Sequence, residues 1–160
     1  MTAEIRDNCK QLLTHSREQL NRLLARLTEE QWQTPVFTED NTWTVADIVA
    51  HLIETERGMS IQAHKARKGQ ETIPQGFDLD RYNAGMKKRM GTLSPAELLQ
   101  GLAQVRAKTL AVIDTLTGED WGKMGRHPSR GMITVEQYYH TIAAHERIHS
   151  EDIKNTLGLP

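Results

Sequence analysis

The chain has 160 residues, the size of one ordinary domain, with 20 Lys and Arg against 21 Asp and Glu and a single cysteine. This balanced charge gives no field that attracts nucleic acid, and no apolar run approaches the roughly 20 residues that cross a bilayer, so we expect neither partner. A lone cysteine excludes an internal disulfide, and the charged N-terminus lacks the apolar run of a secretory signal, so we expect a reducing, cytoplasmic setting.

The first predicted element is a long helix from Thr2 to Leu27, whose apolar residues form one stripe along the helix. Cys9 lies in that stripe and is therefore predicted to be a core residue and not a reactive thiol. Three further long segments carry the same 3.6-residue period, and none sustains the alternation of a strand. The pattern predicts an all-α protein.

The second helix is predicted to begin at Thr44 and to end near Gly69. Asp47 follows Thr44 by three residues, which is close to the pattern in which two side chains cap a helix N-terminus reciprocally. After a polar loop, a short helix is predicted to begin at Asp78.

The third long helix is predicted to begin at Ser94, because Pro95 suits the first helical position and Glu97 completes a capping pair with Ser94. The fourth long helix is predicted to begin at Thr134. It should stop before Gly158, since glycine commonly follows the last helical turn.

Two similar segments indicate an internal repeat: LTEEQW at 27–32 and LTGEDW at 116–121, each followed by a polar loop and a Thr-Val pair at 44–45 and 134–135. The repeat predicts two stacked helix-loop-helix units that form one four-helix bundle domain over residues 1–160. Similar capping chemistry arising by chance is the alternative. In the repeat, the second and fourth helices are equivalent and face one another, and bundles build metal sites between facing helices.

His145 and His149 lie four residues apart on the fourth predicted helix, so their Cβ atoms are about 6 Å apart on one face and both imidazoles reach one metal ion. His51 follows Ile48 by three residues on the second helix and projects toward its apolar side. Three neutral imidazoles leave open positions on zinc, nickel, iron or copper, which is typical of a catalytic site. The residues alone also allow three solvated or hydrogen-bonded histidines without a metal.

The other four histidines are not expected to join this set, because they point to other helix faces or lie in a loop. One of them precedes a proline in a loop and is a candidate to line the mouth of the site. The four are His15, His64, His127 and His140.

Each ligating imidazole needs a partner for its other ring N–H. The nearest carboxylates in helical spacing are Glu54, three residues after His51, and Asp152, three residues after His149. Both positions suit ordinary surface carboxylates equally well.

The run HERIH at 145–149 also matches the His-Glu-x-x-His pattern of zinc peptidases, in which the glutamate is the general base. In those enzymes a third ligand comes from a later segment, and the short tail after His149 contains no histidine. A peptidase is therefore not expected. Glu146 points about 100° away from the two histidines and is predicted to face solvent, with a role as a base near the metal as the alternative.

The run WTVADIVAHL in the second helix and the His-x-x-x-His of the fourth, after the loop HPSRGMIT, resemble the DinB/YfiT-like superfamily of metal-binding four-helix bundles. The resemblance covers essentially the whole chain. It implies a divalent metal, commonly zinc or nickel, held by one histidine of the second helix and two of the fourth, which map onto His51, His145 and His149. Dimers are frequent among members, which leaves a homodimer open.

Members of that superfamily include transferases and isomerases that use low-molecular-weight thiols such as bacillithiol or mycothiol, proposed hydrolases, and proteins without known activity. The resemblance therefore makes a metal-dependent transferase, which activates an external thiol for attack on a small molecule, our first expectation. Candidates to hold the carboxylates of such a thiol are Arg126, Arg130 and the cluster from Lys87 to Arg89. A metal-dependent hydrolase and a non-catalytic metal-binding stress-response module are the alternatives.

Overall fold

The computed structural model describes residues 1–160 as a bundle of four long helices, which confirms the predicted fold class. None of its helices combines the length and the apolar character that crossing a membrane requires. The helices are Thr2–Leu24 (α1), Glu29–Trp32 (α2), Val45–Arg67 (α3), Leu79–Ala84 (α4), Met86–Met90 (α5), Pro95–Ile113 (α6) and Val135–Leu157 (α7). The strands are Pro35–Thr38 (β1), Asn41–Thr44 (β2), Met124–His127 (β3) and Gly131–Thr134 (β4).

Reciprocal side-chain caps fix where three of the four long helices begin. Thr44 and Asp47 cap α3, Ser94 caps α6 together with the third residue of that helix, and Thr134 caps α7 in the same way. Each pair satisfies backbone N–H groups that a helix N-terminus leaves without partners. At the other end of α7, Gly158 adopts φ 65°, as expected for a glycine that ends a helix.

The first helix ends at Leu24, before the predicted Leu27. The chain leaves helical geometry in this stretch because Thr28 is extended and caps the short helix α2. Its side chain accepts a hydrogen bond from the backbone N–H of Gln31, whose side chain accepts one from Thr28 in return. The start of α2 at Thr28 therefore prevents α1 from extending to Leu27.

Two antiparallel hairpins, β1–β2 and β3–β4, were not predicted. Each strand has four residues, which is too short to show a sustained alternating pattern. Each hairpin runs directly into a long helix, α3 or α7, through the threonine that caps it. The hairpins therefore replace the polar loops of the predicted repeat and keep its order.

The two predicted units, α1 with α3 and α6 with α7, pack mainly through helices of different units. Helix α7 packs against α1 and α3, and α6 packs against α3, whereas α1 and α6 are only lightly in contact. Apolar residues fill the interior in two clusters, one around Ile48, Ile53 and Leu102 and the other around Leu13 and Tyr138. Cys9 is fully buried in the second cluster, as predicted.

A charge quartet occupies the centre of the bundle, with one residue from each long helix: Arg17 on α1, Glu56 on α3, Arg106 on α6 and Glu146 on α7. Arg17 donates to Glu56 at 2.9 Å and to Glu146 at 2.8 Å. Arg106 donates to Glu56 at 2.8 Å and to Glu146 at 3.3 Å. The four charges cancel, and each arginine contacts both carboxylates.

The same arginines tie α1 to α6 where the two helices do not pack closely. Arg17 donates to the backbone carbonyl of Leu102, and Arg106 donates to that of Leu13. These two hydrogen bonds are equivalent, because each arginine donates to the backbone carbonyl of the residue four positions before the other arginine. The quartet therefore joins all four long helices.

The prediction that Glu146 faces solvent is wrong. Its side chain is 2% exposed and accepts hydrogen bonds from Ser16 and Arg17 on α1. The direction 100° away from the two histidines leads to α1, because α7 is packed between α1 and α3. Glu146 is therefore committed to the quartet and is not placed to act as a general base.

We expect Glu146→Gln to lower the free energy of unfolding by about 3 kcal/mol or more, because it leaves two buried arginines with an incomplete set of counter-charges. The measurement is urea denaturation in the presence of a chelator, so that metal binding does not contribute to the difference.

The matched control is Glu151→Gln on the same helix, where the glutamate lies 3.9 Å from Arg147 on an exposed surface. This change should alter stability by no more than about 0.5 kcal/mol. Equal losses in the two variants would show that the quartet does not hold the bundle together.

Candidate metal centre

Three histidines from two facing helices converge at one end of the bundle. The Nε2 atom of His145 lies 3.3 Å from Nε2 of His51 and 3.0 Å from Nε2 of His149. Helix α3 supplies His51, and α7 supplies the other two from positions four residues apart on one face. We call these three residues the histidine triad.

The spacing of the triad fits a metal ion. Bonds of about 2.0–2.1 Å from zinc to nitrogen place neighbouring ligands of a tetrahedron roughly 3.3 Å apart. The nitrogens of the triad lie 3.0 and 3.3 Å apart. The structure brings the three predicted histidines together, and their role as metal ligands stays a prediction.

A fourth group, the carboxylate of Glu39, lies against the same nitrogens and was not predicted. Its Oε1 is 2.7 Å from Nε2 of His145 and 3.2 Å from that of His149, and its Oε2 is 3.2 Å from that of His51. The four ligand atoms all lie within 4.8 Å of one another. Glu39 is at the tip of the β1–β2 hairpin, so only the polar run TEDN at 38–41 marked it in the sequence.

Burial determines the protonation of two of the three rings of the triad. Because burial disfavours the charged imidazole, it lowers the pKa of His51 and of His149, and contact with Glu39 only partly opposes this. Both rings are therefore neutral near pH 7, the form in which histidine binds metals. Burial raises the pKa of the Glu39 carboxyl, but the hydrogen bond from His145 and the close contact with the other two rings outweigh it, so that pKa is well below its usual range.

A threonine fixes the tautomer of His149. The hydroxyl of Thr38 donates to Asp152 at 2.6 Å and is 2.9 Å from Nδ1 of His149. Since the only hydroxyl proton goes to Asp152, Nδ1 of the neutral ring carries its proton and donates to Thr38. Nε2 of His149 then has a lone pair that points toward Glu39 and the rest of the triad, an arrangement that favours a cation between them.

The other two rings are oriented by different contacts. Trp43 on β2 packs against the ring of His51 with 4.6 Å between centroids. Nδ1 of His145 is 3.5 Å from the hydroxyl of Thr55, which itself donates to the backbone carbonyl of His51. The first hairpin and α3 thus hold the triad in place together.

Of the two carboxylates predicted to support the triad, only Asp152 does so, and it acts through Thr38. Glu54 neither supports His51 nor lies on the surface, so both of its predicted roles are wrong. It is buried and accepts two hydrogen bonds from Arg89, at 2.8 and 2.6 Å. The α4–α5 segment covers this part of α3 and supplies the arginine.

The predicted basic cluster at 87–89 is largely committed to such contacts. Arg89 is bound to Glu54, and Lys87 lies 3.1 Å from Asp47. In contrast, Arg126 and Arg130 on the second hairpin are exposed. Arg130 donates a hydrogen bond to Thr141, and neither arginine forms an ion pair, so both have a charge that no carboxylate offsets.

The remaining four histidines lie outside the group of converging ligand atoms, as predicted. His127, the candidate for the site mouth, accepts hydrogen bonds from the backbone N–H groups of Ser129 and Arg130. Burial, together with the nearby charge of Arg130, lowers its pKa to about 4, so its ring is neutral at pH 7. Its Nδ1 is used within the turn and is not available to a metal.

Comparison with known proteins places these features in a family. The family model of the DinB superfamily matches residues 12–153. A comparison with curated protein sequences finds no significant match.

Several solved structures share the fold. The mycothiol-dependent maleylpyruvate isomerase has a TM-score of 0.77 and 15% identity, covering 92% of this chain and 60% of that chain, so our chain spans about three fifths of its length. YfiT from Bacillus subtilis, described as a probable metal-dependent hydrolase with an unusual four-helix bundle topology, has a TM-score of 0.71 and 22% identity over 97% of this chain and 89% of that one. The colibactin self-resistance protein ClbS, solved in complex with a dsDNA, has a TM-score of 0.73 and 15% identity, covering 97% of this chain and 96% of that chain. At these identities the similarity shows the fold alone.

We expect Thr38→Val to weaken binding of zinc by roughly 10-fold to 100-fold, because it removes the hydroxyl that orients His149 and sets its tautomer. The measurement is competition with a chromophoric chelator. Thr42→Val on the adjoining strand is the matched control, since Thr42 is exposed and outside the site, and its affinity should match the parent's. Equal affinities for all three proteins would contradict the role given to Thr38.

Proposed function

The chain belongs to the DinB superfamily, and we propose that it is a metal-dependent transferase that activates a low-molecular-weight thiol at the histidine triad. The single observation that carries this proposal is the convergence of three imidazole Nε2 atoms, two of them from fully or almost fully buried rings. His51, His145 and His149 would hold the ion, with zinc or nickel as the favoured metals.

The residues of the chain would do three things in this proposal. The triad provides three nitrogen ligands and leaves further coordination positions free for another molecule. Thr38 and Asp152 keep the Nε2 lone pair of His149 directed at the ion. A divalent ion supplies positive charge that favours the thiolate form of a bound thiol, which is the nucleophilic form.

An external thiol is required because the chain offers none of its own. Cys9 is fully buried on α1, and burial raises its pKa to about 12. A thiol with this pKa is not a nucleophile at pH 7. The similarity in fold to a mycothiol-dependent isomerase supports a small external thiol, and exposed Arg126 and Arg130 are candidates to bind its carboxylates.

We infer a small-molecule substrate in preference to a nucleic acid. The formal net charge of the chain is −1, so the chain has no net positive charge to attract a polyanion. ClbS was solved with a dsDNA, but at 15% identity that partner does not transfer to this chain.

Metal-dependent hydrolysis is the second candidate, and the similarity to YfiT favours it. A divalent ion with free positions can also make a water molecule acidic enough to act as a nucleophile near pH 7. Glu146 would contribute to neither reaction, because it is bound within the charge quartet. The two candidates differ in whether turnover needs a thiol.

For the parent protein purified without a histidine tag, we expect elemental analysis to find about one divalent ion per chain. His51→Ala, His145→Ala and His149→Ala should each lose most of it, because each variant removes one of the three nitrogen ligands of the triad. The controls are His64→Ala on α3 and His140→Ala on α7, which remove histidines from the same helices outside the triad. Metal that persists in the triad variants would contradict the site.

We expect the parent to conjugate a model electrophile such as 1-chloro-2,4-dinitrobenzene with at least one thiol from a panel of mycothiol, bacillithiol and glutathione. His51→Ala should reduce that rate at least about tenfold, since the thiol is no longer activated, whereas His64→Ala should retain it. Equal rates in parent and His51→Ala would reject the transferase. Ester hydrolysis without any thiol would favour the hydrolase, and retained metal without turnover would favour a non-catalytic module.

A further inference from the structure

The most unusual backbone in the chain lies beside the triad. Glu39 and Asp40 have φ values of 48° and 60°, and they are the only non-glycine residues with positive φ. The pairing of Thr38 with Asn41 leaves these two as the whole turn, and a two-residue turn of this kind requires positive φ at both positions. Asn, Asp and Gly suit such positions, whereas a glutamate is disfavoured there.

The second hairpin shows that the fold does not need a glutamate at this point. It turns through Pro128, Ser129 and Arg130, and its positive φ of 69° is at Gly131. The two hairpins have strands of equal length and each leads into a long helix through a capping threonine. The strained glutamate of the first hairpin is therefore specific to the end of the bundle that contains the triad.

The contacts of Glu39 point to a metal ligand. Its carboxylate touches all three Nε2 atoms, at 2.7 to 3.2 Å, and makes no ion pair with a lysine or arginine. The separations from nitrogen to oxygen match those between neighbouring ligands of one ion.

The position of Glu39 also determines what else reaches the ion. Its side chain is 34% exposed, whereas those of His149, His51 and His145 are 0%, 2% and 17% exposed. The carboxylate therefore covers the solvent side of the triad, where an external ligand would enter. It occupies this place from the tip of a two-residue turn with no other charged partner to hold it there.

We propose that Glu39 is a fourth protein ligand that occupies the open side of the metal and is displaced when an external thiolate binds. This inference rests on the proposed metal site. It assigns Glu39 the role of a competing ligand, so that one anion replaces another at the ion and the charge of the centre stays constant. Affinity for the external ligand is then set partly by how easily the hairpin tip releases its carboxylate.

The test uses cobalt(II), whose visible absorption depends on the number and type of its ligands, and 2-mercaptoethanol as the external thiol. Glu39→Gly and Asp40→Gly form a matched pair, because both place glycine at a positive φ and relieve the same kind of strain. Loss of folding is therefore not expected in either. Three quantities are measured for each: cobalt affinity, the visible spectrum, and thiol affinity from the thiolate-to-cobalt charge-transfer band.

In Glu39→Gly we expect a changed cobalt spectrum, cobalt binding weaker by about tenfold or more, and 2-mercaptoethanol binding tighter by about tenfold, since its competitor is gone. Asp40→Gly should match the parent in all three. These opposite shifts are not expected from a purely structural role of Glu39, which would weaken both affinities together or neither.

Two outcomes would overturn the inference and are distinguishable. If the parent binds cobalt in a way that depends on His51 but Glu39→Gly shows the parent's spectrum and thiol affinity, this inference alone fails. If the parent binds no cobalt, or if His51→Ala binds it as the parent does, the proposed metal site fails as well.

Discussion

The bundle depends on four buried charges that it cannot leave unpaired. Taking an arginine or a glutamate out of water costs several kcal/mol, and only close pairing with good hydrogen bonds repays that cost. Arg17, Arg106, Glu56 and Glu146 achieve this pairing only when α1, α3, α6 and α7 are all in place. The quartet thus favours one mutual arrangement of the four helices, which apolar packing alone specifies less sharply.

The triad inherits its geometry from this arrangement. Glu146 directly follows His145 in the chain, and Glu56 lies five residues after His51. The quartet therefore fixes α3 against α7 close to the site. With the two helices fixed, the i, i+4 spacing on α7 and a single position on α3 suffice to bring three imidazoles together. The final adjustment comes from the first hairpin, through Thr38 on His149 and Trp43 on His51.

The sequence predicted the four long helices and the convergence of the three histidines, but not the two hairpins or the residues that the first hairpin brings to the triad. The triad followed from helical periodicity, because that pattern shows which residues share a face. Thr38 and Glu39 did not follow. Thr38 lies on a strand too short for a periodic signal, Glu39 lies in the turn after it, and both reach the triad only when the hairpin folds onto α7. Glu146 was misplaced because a residue opposite one buried face can still be buried when its helix is packed on two sides.

The two halves of the chain match in backbone but not in reactive side chains. Glu56 lies eleven residues after Val45, the first residue of α3, and Glu146 lies eleven residues after Val135, the first residue of α7. Each half of the chain therefore contributes an equivalent glutamate to the charge quartet. In the same count, the counterparts of the triad are Thr141, Thr55 and Met59. These three equivalent positions share the helical framework of the triad but have no imidazoles. Histidines introduced there would be expected to form a second metal centre in the same small protein.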